Sequence, residues 1–183
     1  MPQTDNDNDC VAMCLNGRPE AFRHLVVRYE APLVSYLSGR LHDRLHAEET
    51  AEEAFVRAFL SLAALRKRES FFPWLVGIAD RALKEDARKA RRQFELTDDV
   101  ARGLVAPGPP PDYDLERLVA QLPPPCREAV LLRFYGGLSC GEISERLGIP
   151  VGSVTKSLSR AYVTLRENLK RSDDARPARE VYT

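Results

Sequence analysis

From Glu20 onward, apolar side chains fall at Phe22, Leu25, Val26, Tyr29, Leu33, Leu37 and Leu41, a single helical stripe. Pro32 lies inside it and predicts a kink or a split, because proline removes a backbone donor and crowds the preceding turn. A second stripe, Ala51, Ala54, Phe55, Ala58, Phe59 and Leu62, predicts a helix from Ala47 to Leu65. Its other face opens with Glu48, Glu49, Glu52 and Glu53, acids that suit the positive end of the helix dipole. A third helix begins near Phe72, with Pro73 tolerated in its first turn. It carries Leu75, Ile78, Ala79, Ala82 and Leu83 inward and ends in a basic run through Arg92. Trp74, the only tryptophan, reads as core.

The second half begins with a helix capped by Asp114. The run Pro123-Pro124-Pro125 ends it, and a further helix is expected from Cys126 to about Tyr135, stopped by Gly136-Gly137. Ser139-Cys140-Gly141-Glu142 is a capping box, in which hydroxyl and carboxylate satisfy orphan amides reciprocally. The short helix after it buries Ile143 and Leu147, and Gly148-Ile149-Pro150 makes a tight turn. A longer helix then places Val151, Val154, Leu158, Ala161, Leu165 and Leu169 at helical spacing, with Tyr162 beside Ala161. A capped short helix, a glycine turn and a polar helix form a helix-turn-helix pattern. The outer face of its second helix projects Gly152, Ser153, Thr155, Lys156, Ser157, Ser159 and Arg160. Small residues permit close approach to a duplex, and Lys, Arg and hydroxyls bond phosphates or base edges. The plain alternative is a structural helical hairpin.

Residues 103–112, GLVAPGPPPD, hold four prolines and two glycines and read as a linker. The expected organisation is all-α: two small helical domains at 1–94 and 114–171, a Pro-rich linker at 95–113 and a frayed tail at 172–183. The chain has 183 residues, with 27 basic side chains balancing 27 acidic ones. The balance conceals a pattern. Residues 66–92 carry nine basic against four acidic groups, residues 151–171 five against one, and the intervening 93–114 one against five. Two basic stretches able to meet phosphate therefore flank an acidic one, unless both are simply solvated helix faces. Asp98, Asp99, Asp112 and Asp114 could mask those basic helices at distances near the roughly 8 Å screening length.

Other chemistry finds little support. No apolar run approaches the roughly 18 residues of a membrane span, and the acidic start, MPQTDNDNDC, is unlike a secretory signal. The expectation is a cytoplasmic protein without membrane insertion. Cys10, Cys14, Cys126 and Cys140 are too scattered for a disulfide scaffold. Cys10 and Cys14 fit one inward face of a short N-terminal helix. His24, His42 and His46, the latter two in an expected interhelical loop, lack the paired spacing of a zinc site. No glycine-rich phosphate loop or nucleophile motif is present. We expect no metal, no cofactor and no enzymatic activity.

Residues 122–169, LPPPCREAVLLRFYGGLSCGEISERLGIPVGSVTKSLSRAYVTLRENL, resemble region four of bacterial sigma factors. The segments EAFRHLVVRYEAPLVSYL, AEETAEEAFVRAFLSL and SFFPWLVGIADRALKEDARKARR resemble region two. The two come in the family's order with a short linker, which resembles the extracytoplasmic-function (ECF, group four) type of the sigma-70 family. The resemblance implies promoter recognition and transcription initiation as a polymerase subunit. It places docking on the clamp helices of the polymerase β′ subunit at Glu49, Glu52, Glu53, Phe55 and Arg57. It places minus-ten DNA contacts at Arg66, Lys67, Arg81, Lys84, Arg88, Arg91 and Arg92. It places minus-35 contacts at Ser153, Thr155, Lys156, Ser157, Ser159 and Arg160.

The implied partners are core RNA polymerase (β′ clamp helices and β flap), promoter DNA and an anti-sigma factor. The chain departs from the family at several points. Thr155 and Ser157 stand where Lys and Arg are frequent, Lys156 where Ser is common, and Tyr162 at a commonly basic position. Asp80-Arg81 stands where Arg-Asn is frequent, and His46 occupies a usual helix-capping Asp position. The alternative reading is an autonomous helix-turn-helix regulator that binds duplex alone as a dimer.

Overall fold

The computed structural model describes residues 6–41, 43–66, 71–94 and 114–174, with side chains to Arg91 in the third of these stretches and from 117 to 169 in the last. Every regular element among them is helical: α1 Asp7–Leu15, α2 Phe22–Ser38, α3 Arg44–Leu60, α4 Phe71–Phe94, α5 Asp114–Ala120, α6 Pro124–Phe134, α7 Cys140–Leu147 and α8 Val151–Asp174, with 3-10 turns at Pro19–Ala21 and Leu62–Ala64. Lys67, the expected linker and the tail beyond Asp174 lie outside the described residues, as do Asp98, Asp99, Asp112 and His42.

Helices α1–α4 enclose the first core. Leu25, Leu33, Tyr36 and Leu37 of α2 meet the alanine stripe of α3 and Phe71, Phe72, Leu75, Val76 and Ala79 of α4, all fully or nearly fully buried. Such small side chains let α3 approach its neighbours closely. Trp74 is partly buried against this cluster. The α1 helix starts on an Asn6 cap and buries Cys10 and Val11. Its Asp7 accepts hydrogen bonds from Arg28 and the Tyr29 hydroxyl. Burial and that carboxylate push the Tyr29 hydroxyl pKa upward, so the tyrosine stays a donor.

Three expectations are corrected here. Helix α2 runs unbroken through Pro32, which is itself buried; apolar packing on both sides of the proline outweighs the lost hydrogen bond. Helix α3 begins at Arg44 rather than Ala47, because Asp43 caps it by accepting from the Leu45 amide at 3.0 Å. His46 is therefore inside the helix, neither a cap nor part of a loop. The helix also ends at Leu60, and Leu62–Ala64 forms a separate turn.

Helices α5–α8 build the second core from Leu118, Leu122, Ala129, Leu132, Ile143, Val154, Leu158 and Ala161. Helix α6 starts two residues earlier than expected. Pro124 and Pro125 occupy its first turn, where no amide donor is needed. The capping box is formed: Ser139 accepts from the Glu142 amide at 3.3 Å and Glu142 accepts from the Ser139 amide at 2.8 Å. Gly148 closes α7 with φ 66°, a left-handed turn that favours glycine. Val151 and Leu169, expected inside, are 47% and 42% exposed.

The two cores are continuous. Tyr135, just after α6, packs its ring 6.4 Å from Tyr29 of α2 and 5.7 Å from Phe72 of α4.

Candidate nucleic-acid interface

Two basic faces and one acidic face stand out. On α4, the first half is sealed in the core and the second half is not. Ala82 is buried, but Arg81, Lys84, Arg88 and Arg91 are exposed. Their steps of three, four and three residues put these four on one side of the helix. The Arg81 guanidinium is steadied by donating to the Gly77 carbonyl at 3.1 Å. Arg66 is exposed in the bend before α4, and Arg92 belongs to α4 without a described side chain. Six of the seven residues expected on this surface thus fall among the described residues, and the four on one stripe form a cationic edge. Leu75 and Ile78 are buried, as expected of core positions.

On α8, Ser153, Thr155, Lys156, Ser159 and Arg160 are exposed and Ser157 is half-buried. The packing side of the same turns is Val154, Leu158 and Ala161, all buried. The Ser144 hydroxyl donates to the Ile149 carbonyl at 2.6 Å, tying α7 to the turn and fixing where α8 departs. The Thr155 hydroxyl donates back to the Val151 carbonyl at 3.1 Å. That leaves its oxygen as an acceptor and its donor engaged. The cationic groups of this face are Lys156 and Arg160.

On α3, the structure divides the five expected docking residues. Glu49 and Glu52 are exposed. Arg57 donates to Glu53 at 2.7 Å and to Glu85 of α4 at 2.7 Å, so it is a strut between helices. Those hydrogen bonds raise the Arg57 pKa further and hold the Glu85 carboxyl below its ordinary range. Phe55, expected at the docking surface, is 7% exposed and meets the Phe22 ring edge-on at 6.4 Å, so in this structure it packs inward.

The sequence reading missed the apolar members of the exposed stripe. Leu45, Val56 and Leu60 are 62%, 59% and 79% exposed. With Glu49 and Glu52 they repeat at four, three, four and four residues, one face opposite the buried alanines. The signal was present as a second helical stripe, hidden by the convention that apolar side chains turn inward.

Every regular element among the described residues is helical, and α4 and α8 each present one basic face. Residues 25–93 match Sigma-70 region 2 and residues 113–165 match Sigma-70, region 4. The chain belongs to the sigma-70 family and carries both regions, in an ECF-type RNA polymerase sigma factor that directs promoter recognition and transcription initiation.

The chain is similar to the RNA polymerase sigma-H factor of Pseudomonas aeruginosa, 26% identical over 86% of this chain and 90% of that protein. It is also similar to the ECF RNA polymerase sigma factor SigW of Bacillus subtilis, 29% identical over 84% of this chain and 91% of that one. The solved sigma factor RpoE of Bartonella quintana, crystallised with the anti-sigma factor NepR, shares the fold at 22% identity. Its TM-score is 0.53, over 81% of this chain and 96% of that chain. No helix among the described residues is long and apolar enough to cross a membrane.

Proposed function

We propose that this sigma factor divides its work among three surfaces. The α3 stripe of Leu45, Glu49, Glu52, Val56 and Leu60 docks on the β′ clamp helices of core RNA polymerase. The α4 edge of Arg81, Lys84, Arg88 and Arg91, with Arg66, Lys67 and Arg92, holds promoter DNA at the minus-ten element. The outer face of α8, Ser153, Thr155, Lys156, Ser157, Ser159 and Arg160, enters the major groove at the minus-35 element, and the second half meets the β flap. Glu53 and Arg57 orient the docking helix from within. The protein acts in the cytoplasm, performs no covalent chemistry and is held in check by an anti-sigma factor.

The observation that carries this reading is the exposed α3 stripe, in which Leu45 on one side and Val56 and Leu60 on the other flank the acids Glu49 and Glu52 along a helix face that no described element covers. Apolar contacts supply affinity and the acids select a basic partner. The test is co-elution of the full chain with core polymerase. Glu49→Lys/Glu52→Lys should abolish the complex while leaving the melting temperature within a few degrees, since both side chains are exposed. Reversing Glu53 would confuse the result by breaking the Arg57 pair. Unimpaired co-elution of the double variant would remove docking from α3. Failure of the wild type to bind core, with tight binding to duplex alone, would favour the autonomous regulator.

A further inference from the structure

An apolar pocket of about 350 Å³ lies where α2 meets α6 and α8. Its lining includes Pro32 and Ser35 of α2, Val130 and Phe134 of α6, and Tyr162 and Leu165 of α8. The rings of Phe134 and Tyr162 meet edge to face at 6.2 Å. Both side chains remain exposed, so they stand at the rim.

The pocket holds one polar misfit. The Ser35 hydroxyl is buried and has no hydrogen-bond partner among the described residues. Such a group costs stability until something pairs with it. A space that is apolar on its walls, with one buried hydroxyl to satisfy, suits a group with an apolar body and a polar tip. A phenol ring has that character.

The apolar surface continues beyond the rim. Tyr162, Leu165 and Leu169 follow at steps of three and four residues on one side of α8, and Leu169 is exposed like Tyr162. This stripe leads from the pocket toward Asp174, where α8 ends. Residues 175–183 follow, with the sequence ARPAREVYT. Among them only Val181 and Tyr182 carry large apolar side chains. Pro177 cannot continue a helix and drives Arg176 toward extended backbone, so the chain can reverse there.

The lengths agree. Tyr162 stands twelve residues before Asp174, about 18 Å along the helix at about 1.5 Å per residue. Tyr182 stands eight residues after it, a reach of about 26 Å when extended. The difference leaves room for the reversal. Tethering also favours this ring over a free one. A side chain on the same chain meets the pocket at a high effective concentration, whereas a separate molecule loses its free translation and rotation on binding.

We propose that residues 175–183 fold back along the Tyr162–Leu165–Leu169 stripe and seat the Tyr182 ring in this pocket, its hydroxyl paired with Ser35. The segment then ties α8 to α2. This docking stands whatever the three proposed surfaces bind.

Cross-linking in the full chain tests the path. Ala31 lines the pocket, and the Ala31→Cys/Thr183→Cys variant leaves Tyr182 in place. The control is Glu167→Cys/Thr183→Cys. Glu167 is exposed and lies on the side of α8 away from Leu165, within the same reach. On mild oxidation with diamide, the pocket pair should link within one chain several-fold faster than the control. Adding Tyr182→Ala should erase that advantage. Peptide mapping separates this link from any made by the four native cysteines.

A second measurement needs no new cysteine. The probe is 4-methylphenol, a tyrosine side chain without its backbone, followed by saturation-transfer NMR. The Tyr182→Ala variant, with circular dichroism unchanged, should take it up several-fold better than wild type, whose pocket is already filled. Linking of the pocket pair no faster than the control would overturn the docking. A covalent dimer in place of the link within one chain would give the pocket to a second copy. Equal uptake of 4-methylphenol by wild type and Tyr182→Ala would leave it a site for a small free ligand and remove residues 175–183 from it.

Discussion

Helices α4 and α8 are each 24 residues long and each presents a basic face, but the protein exposes them differently. The α8 face, Ser153 to Arg160, is open. The α4 face is bordered at its start by Leu138, Glu142, Glu145 and Arg146 of the second half, although Arg81 and Lys84 are themselves exposed. One basic face therefore stands clear of the other half, and the other is bordered by it at one end. The difference lies in what each helix is anchored by. The apolar half of α4 is the centre of the first core, and Tyr135 from the second half reaches it. The principal partners of α8 are α6, α7 and α5, in its own half.

The comparison breaks most completely when the shared aromatic cluster is removed. Phe72 is fully buried, stacks on Tyr29 at 5.2 Å and faces Tyr135. Phe72→Ala should cost about 3–5 kcal/mol, and denaturant unfolding should show both halves loosened. Ile143→Ala should cost about 2–5 kcal/mol and unsettle chiefly the second half.

A smaller effect separates the two basic faces proposed to meet DNA. In the free protein, Lys156→Ala and Arg160→Ala should each weaken duplex binding by about 1–3 kcal/mol if they reach base edges. Arg81→Ala/Lys84→Ala should change free-protein binding little and reduce promoter binding only once core polymerase is present. Anisotropy titrations with and without core, at one fixed salt concentration, measure both. Equal losses in the two settings would mean that the border at the start of α4 does not distinguish the two faces.

Ser139→Ala removes half of the capping box and should destabilise the second half by about 1 kcal/mol without touching α4, as read by thermal melting. Acidity should have the slightest influence. Burial where α6 meets α2 raises the Glu128 carboxyl above its ordinary range, outweighing the opposing pull of Arg40 and Arg127, with Asp80 adding to the rise. A raised carboxyl stabilises the packing of α6 on α2 fully below the ordinary range and loses that contribution as pH climbs through the raised value. Lowering the pH from 7 toward 5 should therefore favour that packing, seen as a smaller radius in small-angle scattering; an expansion would contradict it.

The elements readable in the sequence were those set by neighbours along the chain. The capping box at Ser139 and Glu142, the Gly148 turn and the Val154/Leu158/Ala161 stripe are local patterns, and they folded as expected. Misreadings arose where one residue type has two uses. Asp43 looked like loop and His46 like a displaced cap, whereas the aspartate was the cap. Phe55 and Leu60 are both large and apolar on one helix, but only the first turns inward.

The contact between the halves was not legible at all. Arg40, Asp80, Glu128 and Arg146 lie on four different segments, and a lone charge in a sequence reads as solvent-facing. Only the fold reveals that they converge.

Asp7 meets Tyr29 across 22 positions of chain, whereas Arg40 meets Glu128 across 88 and Arg127 meets Ser35 across 92. On a ribosome these contacts become possible at different times. The Asp7 clasp between α1 and α2 is available as soon as α2 has emerged, and the first four helices can settle while the rest is still being made. The long-range pairs must wait for α6. A nascent chain thus passes through an interval in which α4 is complete and the second half is not yet there to border it.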